Sequence, residues 1–399
     1  MYELGALLSL EYGEPLPAER RTGFGFPVFG SNGEVGRHQS ALLAGPGVVV
    51  GRKGSVGKVT WSDEAFWPID TTYWVSCPPE ERRWLYWVLS WLPLHRLDTS
   101  TGIPGLNRKD VYELEVYRPE IGERRQIAQI LDTFDTTIRE TETLIDKLKA
   151  AKQGLLQDLL THGIDASGQL RPSQSEAPQL YKESTQGWIP REWEIQRLDN
   201  TTATPICYGI VQVFEYVPSG VPVLAIRDLL GDYVTGIHRT ANSIDAAYPR
   251  SRVQPGDVLL SIKGTIGRIG VVPPHFFGNI SRDIALIRPT SAIRSQFLAQ
   301  MLRSPIGQTI IKQAQVGTTR AEISITPLRK LEIAFPDVGE QVRIEEILES
   351  ADIRLADEQA KLDKLRSQKT GLMDDLLTGR VRVTPLLESM QKVAAPTEV

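Results

Sequence analysis

Cysteine is almost missing from this chain. Cys77 and Cys207 are the only two in 399 residues, and they lie too far apart to suggest a metal or redox pair, so they read as ordinary reduced thiols. The five histidines (38, 95, 162, 238 and 275) have no metal-ligand spacing. No apolar run approaches the length needed to cross a membrane, and Met1-Tyr-Glu-Leu-Gly5 lacks the basic start of a signal peptide, which makes the cytoplasm the expected compartment. Catalytic motifs are missing too. No Gly-rich adenosylmethionine fingerprint follows a strand. Val272-Pro-Pro-His275 and Cys77-Pro-Pro79 have prolines without the Asn or Asp that amino-methylation of a base needs, and Asp337 after Pro336 has no Glu-x-Lys partner for a nuclease metal. The expectation is a chain that catalyses nothing by itself and holds no metal or cofactor of its own.

What is present is a soluble globular composition, 41% hydrophobic and 24% charged, in a chain long enough for two or three domains. The net charge of −4 argues at first against a polyanionic partner, but its distribution is uneven. Residues 1–121 balance to −3, 122–180 to −2, 181–338 to +4 and the last 61 to −3. The second globular part is basic, so the whole-chain charge decides nothing.

The dominant feature is a repeat. Gly122–Thr161 and Gly339–Thr378, offset by 217 positions, share 16 identical residues in 40 without a gap. In the first copy Ile127, Leu131, Phe134, Ile138, Thr141, Ile145 and Leu148 recur at spacings of four and three. The second copy has Ile344, Leu348, Ala351, Leu355, Glu358, Leu362 and Leu365. An apolar seam of period 3.5 is the pattern of helices that wrap around each other. A helix of roughly 39 residues is about 58 Å long at 1.5 Å per residue, and so narrow a stripe needs a partner. The obvious partner is its own twin. Gly154 and its twin Gly371 recur inside the two helices, where glycine costs about 1 kcal/mol against alanine. The expectation there is a close approach by the opposite helix or a partner subunit.

Taken in order, residues 1–121 read as a mixed domain. Short runs such as Val48-Val-Val50 and Tyr73-Trp-Val75 alternate with Gly/Pro turns, and a buried aromatic helix spans Trp84–Leu92. Residues 122–162 are the first long helix, 163–186 a polar linker by composition, and 187–338 a second domain. Residues 339–379 form the second helix, and 380–399 a loosely ordered tail. The closing strands match positionally: Leu114, Glu115, Val116 and Pro119 correspond to Leu331, Glu332, Ile333 and Pro336. The fold class expected is α+β, with two mixed α/β globular domains joined by two long antiparallel coiled-coil-like helices in an internal pseudo-two-fold repeat. If each domain packs near the start of the helix that follows it, one domain lies at each end of the pair.

A second match lies inside the domains. Lys53-Gly-Ser-Val-Gly-Lys58 pairs with Lys263-Gly-Thr-Ile-Gly-Arg268. The glycines predict a tight turn with φ > 0 and backbone amides turned outward. Amides, a hydroxyl (Ser55, Thr265) and cations (Arg52, Lys53, Lys58, Lys263, Arg268) suit a phosphate oxygen. The same residues would also serve as a plain hairpin turn facing water. A nucleotide P-loop is excluded by spacing, because Arg52 and Val59 stand where glycine and Ser/Thr are required. A turn common to both domains is a poor candidate for choosing bases and a better one for holding a backbone. Base choice belongs where the halves diverge, in Pro27–Gly33 with Ser31 and Asn32, and in Val221–Asp228, a strand expected to reach Arg227. Asn and Arg can each contact a base edge at two points. Asn107-Arg-Lys109 and Thr318-Thr-Arg320 are weaker candidates.

These residues carry a resemblance that covers nearly the whole chain. The paired Glu-Arg/Gln-x-x-Ile-x-x-Ile-Leu helix openings, the endings at 152–161 and 369–378, and Gly187-Trp-Ile-Pro-Arg-Glu-Trp193 resemble the specificity (S) subunit of type I restriction–modification systems. Gly51–Gly57 with Ile69-Asp-Thr-Thr72, and Ile262–Gly267 with Ile280-Ser-Arg-Asp283, look like two recognition-domain subtypes. One departure is the first domain's lack of the Gly-x-x-Pro-x-x-Trp lead-in. The resemblance implies two target-recognition domains that read the halves of a bipartite site in double-stranded DNA. The helices would act as spacer and as docking surface for two methyltransferase (M) subunits, with restriction (R) subunits joining that core. S-adenosylmethionine, ATP and Mg would sit on those partner subunits. The competing expectation is a coiled-coil scaffold or adaptor whose globular ends bind proteins.

Overall fold

Val48-Val-Val50 is a continuous apolar run rather than an alternating one, and its place in the fold explains why. A computed structural model describes residues 1–98, 105–315 and 322–383; Arg320 lies outside them. The strand Gly47–Gly51 is central in a four-stranded antiparallel sheet, in the order Ser9–Tyr12, Thr72–Ser76, Gly47–Gly51, Val59–Ser62. Val48 and Val50 face a core with Leu4, Leu10, Trp84 and Leu89. Val49 packs on the opposite side with Phe29 and Phe66. A strand covered on both faces has no position to leave polar.

The chain divides into two units, Met1–Leu144 with the chain from Glu358 onward, and Ile145–Asp357. The division falls within the long helices rather than at their ends. The first unit adds a three-stranded sheet, Gly33–His38, Phe26–Gly30 and Trp67–Pro68, whose last pair is parallel. A two-stranded pair joins Tyr2–Glu3 to Glu115–Val116. The second unit repeats this topology. Its four-stranded order is Cys207–Tyr208, Ile284–Ile287, Val258–Ser261, Ile269–Val271. Its three-stranded order is His238–Thr240, Val221–Leu224, Asn279–Ile280, again with a parallel last pair. Glu194–Arg197 pairs with Glu332–Phe335. The internal repeat read from the helices therefore extends through three sheets of each unit, where sequence identity has faded.

The aromatic helix forms over Arg82–Trp91 and buries Trp84, Leu85, Trp87, Val88 and Leu89. It is core, as its composition predicted. The long helices run over Ile121–Thr161 and Val338–Leu376. Every seam residue is buried or half-buried, including Ile127, Leu131, Ile138, Leu148, Ile344, Leu348, Leu355 and Leu365. Ile127 and Leu131 join the first unit's core beside Leu376 and Leu377. Ile344 and Leu348 join the second unit's core beside Leu159 and Leu160. In the first unit Lys369 donates to Asp135 at 2.6 Å and Arg366 to Glu142 at 2.6 Å. In the second unit Lys152 pairs with Asp352. Shifted by 217, Lys152 becomes Lys369 and Asp135 becomes Asp352, so one ion pair is made twice.

Three expectations change. A Cβ built on Gly154 or Gly371 meets nothing within 4 Å. Neither glycine is a close approach to the opposite helix, because both lie on open faces. Gly154→Ala should then raise stability by about 0.5–1 kcal/mol through backbone entropy and helix propensity, and thermal unfolding of the variant checks it. The segment 163–186, polar in composition, is built structure rather than a loose linker. Ile164, Ala177 and Tyr181 are buried, and Tyr181–Ser184 forms a hairpin with Gly187–Pro190. Arg171 reaches Glu340 with both terminal nitrogens, at 2.6 and 2.9 Å. The start of the tail is likewise held. Arg382 donates to both oxygens of Glu123, at 2.9 and 3.0 Å through Nε, and the Val383 amide donates to it at 2.9 Å. Glu123 and Glu340 are twins in the first turns of their helices, and each binds the segment that follows a long helix.

A candidate nucleic-acid interface at one end of each sheet

The repeated glycine turn closes the end of the central strand in both units. Gly54 and Gly57 have φ of +82° and +74°, and Gly264 and Gly267 have +63° and +87°, the left-handed conformations that the motif predicted. A side chain at 57 would also meet Leu94 Cβ at 2.6 Å. Only part of the expectation of outward amides holds, because several of them close the turn from within. Gly57 N–H donates to Gly51 O at 2.8 Å, Val56 N–H to Gly54 O at 2.9 Å, and Gly267 N–H to Ser261 O at 3.1 Å. Arg268 N–H is taken by Ser261 Oγ at 2.8 Å. Among the described residues the Ser55 and Thr265 amides make no such bond, so these two amides and the side chains are what the turn can offer a ligand.

Those side chains differ in freedom. Lys53, Ser55, Thr265 and Arg268 are exposed, and among the described residues the Arg268 guanidinium has no ion-pair partner. Lys263 is half-buried and pairs with Glu322 at 3.1 Å. Lys58 and Asn32 are brought together: Lys58 Nζ donates to Asn32 O at 2.7 Å and to Asn32 Oδ1 at 2.9 Å. Ser31 Oγ donates to Thr71 O at 2.6 Å. Arg52 donates to Asp70 O at 2.7 and 3.2 Å and lies over the Tyr12 ring, 5.0 Å from its centre. Asn107 is spent locally, because its Oδ1 caps the helix Arg108–Tyr112 through the Lys109 amide at 3.1 Å.

The halves diverge in several connections, one of them that of the Phe26–Gly30 hairpin and its counterpart. In the first unit that connection is 31–32; in the second it is 225–237. Arg227 is therefore not on a strand. The strand stops at Leu224, and buried Asp228 accepts the Ala225 amide at 2.7 Å, drawing Ile226–Leu230 into a 3-10 turn. Arg227 projects from that turn with its side chain 70% exposed. The rest of the loop is folded by Asp232, which accepts from the Thr235 hydroxyl at 2.6 Å and from the Thr235 and Val234 amides at 2.8 and 2.9 Å. Those bonds, the Thr235 hydroxyl first, hold its carboxyl down to about 2. Tyr233 anchors the loop from beneath against Phe276, its ring centre 5.7 Å away, and burial pushes its phenol up to about 12. Arg227, Asp228, Asp232, Tyr233 and Thr235 line a cleft of about 480 Å³.

Two further residues occupy this end of the sheets and were not singled out from the sequence. Tyr12 ends the strand Ser9–Tyr12 and Tyr208 ends Cys207–Tyr208, and each is 51% exposed. Arg108 lies over the Tyr12 ring, 5.3 Å from its centre. Tyr208 lines a second cleft, about 360 Å³, with Lys263, Arg282 and Ser324. The available signal was the dipeptide Tyr-Gly, at 12–13 and again at 208–209. It is too short to notice until the strands are aligned.

Comparison with known proteins returns one family. A family model described as the type I restriction modification DNA specificity domain matches residues 4–150 and 223–367. The chain is 26% identical over 265 residues to the type I restriction enzyme EcoBI specificity subunit of Escherichia coli, covering 64% of this chain and 56% of that one. It is 27% identical over 301 residues to the MjaVIII specificity subunit of Methanocaldococcus jannaschii, covering 72% and 67%. In fold it is similar to the S subunit of a type I restriction-modification system from M. genitalium. The TM-score is 0.58 at 18% identity, over 94% of this chain and 95% of that one.

Proposed function

The chain belongs to the type I restriction modification DNA specificity family, and on that premise we propose that it is the subunit that gives such a complex its DNA sequence specificity. Each unit reads one half of a bipartite site in double-stranded DNA. The observation that carries this reading is one topology used twice, with the same basic turn in both copies and a different hairpin connection at the same place. Constant parts suit the constant partner, the phosphate backbone; the variable connection suits the bases. Asn32 with Lys58 in the first unit and Arg227 in the second are the side chains we assign to the base-reading end. Arg52, Lys53, Ser55, Lys263, Thr265 and Arg268 belong to the backbone-holding end, and Arg320 is kept as a candidate from sequence alone.

The long helices are read as an antiparallel coiled-coil pair that fixes the separation of the half-sites, which on one side of a duplex is about one turn, near 34–36 Å. Their open faces, where Gly154 and Gly371 lie, are the surface proposed to dock two methyltransferase subunits, with restriction subunits joining afterwards. S-adenosylmethionine, ATP and Mg would be carried by those partners in the cytoplasm. Among the described residues no helix is long and apolar enough to cross a membrane.

Mapping methylated adenines across the source genome tests the reading. The expected result is a split motif, two short defined halves around a fixed undefined spacer, that disappears when this chain is deleted. A single contiguous motif, or a motif indifferent to the deletion, would favour a protein-binding scaffold instead.

A further inference from the structure

Tyr12 and Tyr208 occupy the same place in two sheets that share almost no sequence. Each is the last residue of an edge strand, opposite Tyr73 in one unit and Ala285 in the other, at the end where the basic turn closes. The glycine that follows is required in both. A Cβ on Gly13 would lie 2.3 Å from the carbonyl oxygens of Pro68 and Ile69, and on Gly209 it would lie 1.8 Å from that of Ile280. These are corresponding segments of the parallel-paired strand. The backbone is pinned immediately after the tyrosine, and the ring is left half exposed. Tyr12 also packs on Tyr73, 5.2 Å between ring centres, but the exposed half of each ring gains nothing from burial.

Cations flank both rings. Arg52 and Arg108 stand over Tyr12 at 5.0 and 5.3 Å. Tyr208 shares its cleft with Lys263 and Arg282, beside an apolar wall from Val211 and Ile262. An apolar ring face between two positive charges suits a ligand that alternates apolar and anionic groups. The sugar–phosphate strand is such a ligand. An acidic peptide would match the charges but leaves the ring without a regular apolar partner. The Lys263–Glu322 and Arg282–Asp283 pairs, at 3.1 and 3.7 Å, are exposed enough to exchange for phosphate at little cost.

We propose that Tyr12 and Tyr208 are equivalent DNA-backbone contacts: each ring packs on a deoxyribose, while Arg52 with Arg108, and Lys263 with Arg282, take the phosphates on either side. This rests on the DNA-specificity reading above. Because the device is common to both units it cannot choose a sequence. It sets how tightly each half-site is held and in what register the variable connection meets the bases.

The test is a salt series of anisotropy titrations on the full chain assembled with its methyltransferase subunits, using a duplex with the mapped site and one with a scrambled half-site. Tyr12→Ala and Tyr208→Ala should each weaken binding about tenfold, leaving the salt slope and the preference for the correct half-site unchanged. Tyr→Phe at either position should stay within about twofold of wild type, while Arg108→Ala should lower the salt slope by about 0.9. Melting curves accompany each variant; should Tyr12→Ala lose its fold through the Tyr73 contact, Tyr208→Ala decides. Hydroxyl-radical footprints should show one protected sugar per half-site becoming accessible in the alanine variants. Wild-type affinity in a folded Tyr208→Ala complex, or a changed preference at one base pair, overturns the proposal. If the wild-type complex itself shows no salt-dependent DNA binding, the functional reading falls as well.

Discussion

Glu340→Gln should destabilise the chain by about 3–5 kcal/mol, the usual consequence of removing one partner from a buried ion pair. Glu340 is 2% exposed and accepts from four groups: both terminal nitrogens of Arg171, the Ile164 amide at 2.9 Å and the Trp193 indole at 3.2 Å. Hydrogen bonding to Glu340 is the main cause of the raised pKa of Arg171, so that guanidinium stays charged. Glutamine leaves it buried, with the largely exposed Glu192 as its one remaining carboxylate and the His162 carbonyl at 3.3 Å. The pair is close-packed on Gly163, at φ +63°, where any side chain would collide with both partners. In a unit of this size the loss corresponds to a fall in Tm of roughly 10 °C. The twin change, Glu123→Gln, should cost less, because its partner Arg382 is half exposed. Differential scanning calorimetry of the two variants decides; equal shifts would mean that burial is not what makes Glu340 matter. Glu123 gives a pH handle. Hydrogen bonds from Arg382 hold its pKa below the ordinary carboxylate value, so its contribution is full above that value and is lost as the pH falls through the lowered one.

Arg268→Ala should weaken DNA binding evenly across sequences and lower the salt slope by about 0.9, the signature of one lost phosphate contact. Lys263→Ala should act in the same direction but more weakly. Lys263 is already neutralised by Glu322, whereas Arg268 is exposed and holds its charge ready for a ligand. The double variant should add the two effects, since neither side chain shares a partner with the other. Binding isotherms at several salt concentrations, on cognate and scrambled duplexes, check both the slope and the evenness. A selective loss at one base pair would move Arg268 from the backbone to the base-reading end.

Much of this molecule can be read from the sequence because its largest signal is self-similarity. The helices were legible from a seam that must stay buried along its length, and the glycine turn from residues that only a positive φ requires. What stayed hidden was hidden for physical reasons. The polar stretch 163–186 looks like a linker because its composition is that of a loop. It is ordered by Arg171, whose partner Glu340 is remote in sequence, and no local pattern announces such a pair. Arg227 reads as part of a strand because Val221–Leu224 is one; Asp228, four residues after Leu224, ends it by accepting the Ala225 amide. Composition does not say which turn amides face outward; the hydrogen-bond accounting sends those of Val56, Gly57 and Gly267 inward. Tyr12 and Tyr208 needed the strand alignment before they could be seen as a pair.

The hairpin connection that differs between the units has a consequence for how such chains change over time. Both ends of the connection are fixed by the same strand pairing, so its length can vary without shifting the register of the sheet or the position of the basic turn. Loop closure adds only about 0.6 kcal/mol for each doubling in length. The step from 31–32 to 225–237 therefore costs little compared with a single misplaced buried charge. Variation in what is read is thereby uncoupled from the stability of the reader, and a lineage could explore new half-sites by insertion at one point while the rest of the chain stays under the constraints of a folded core.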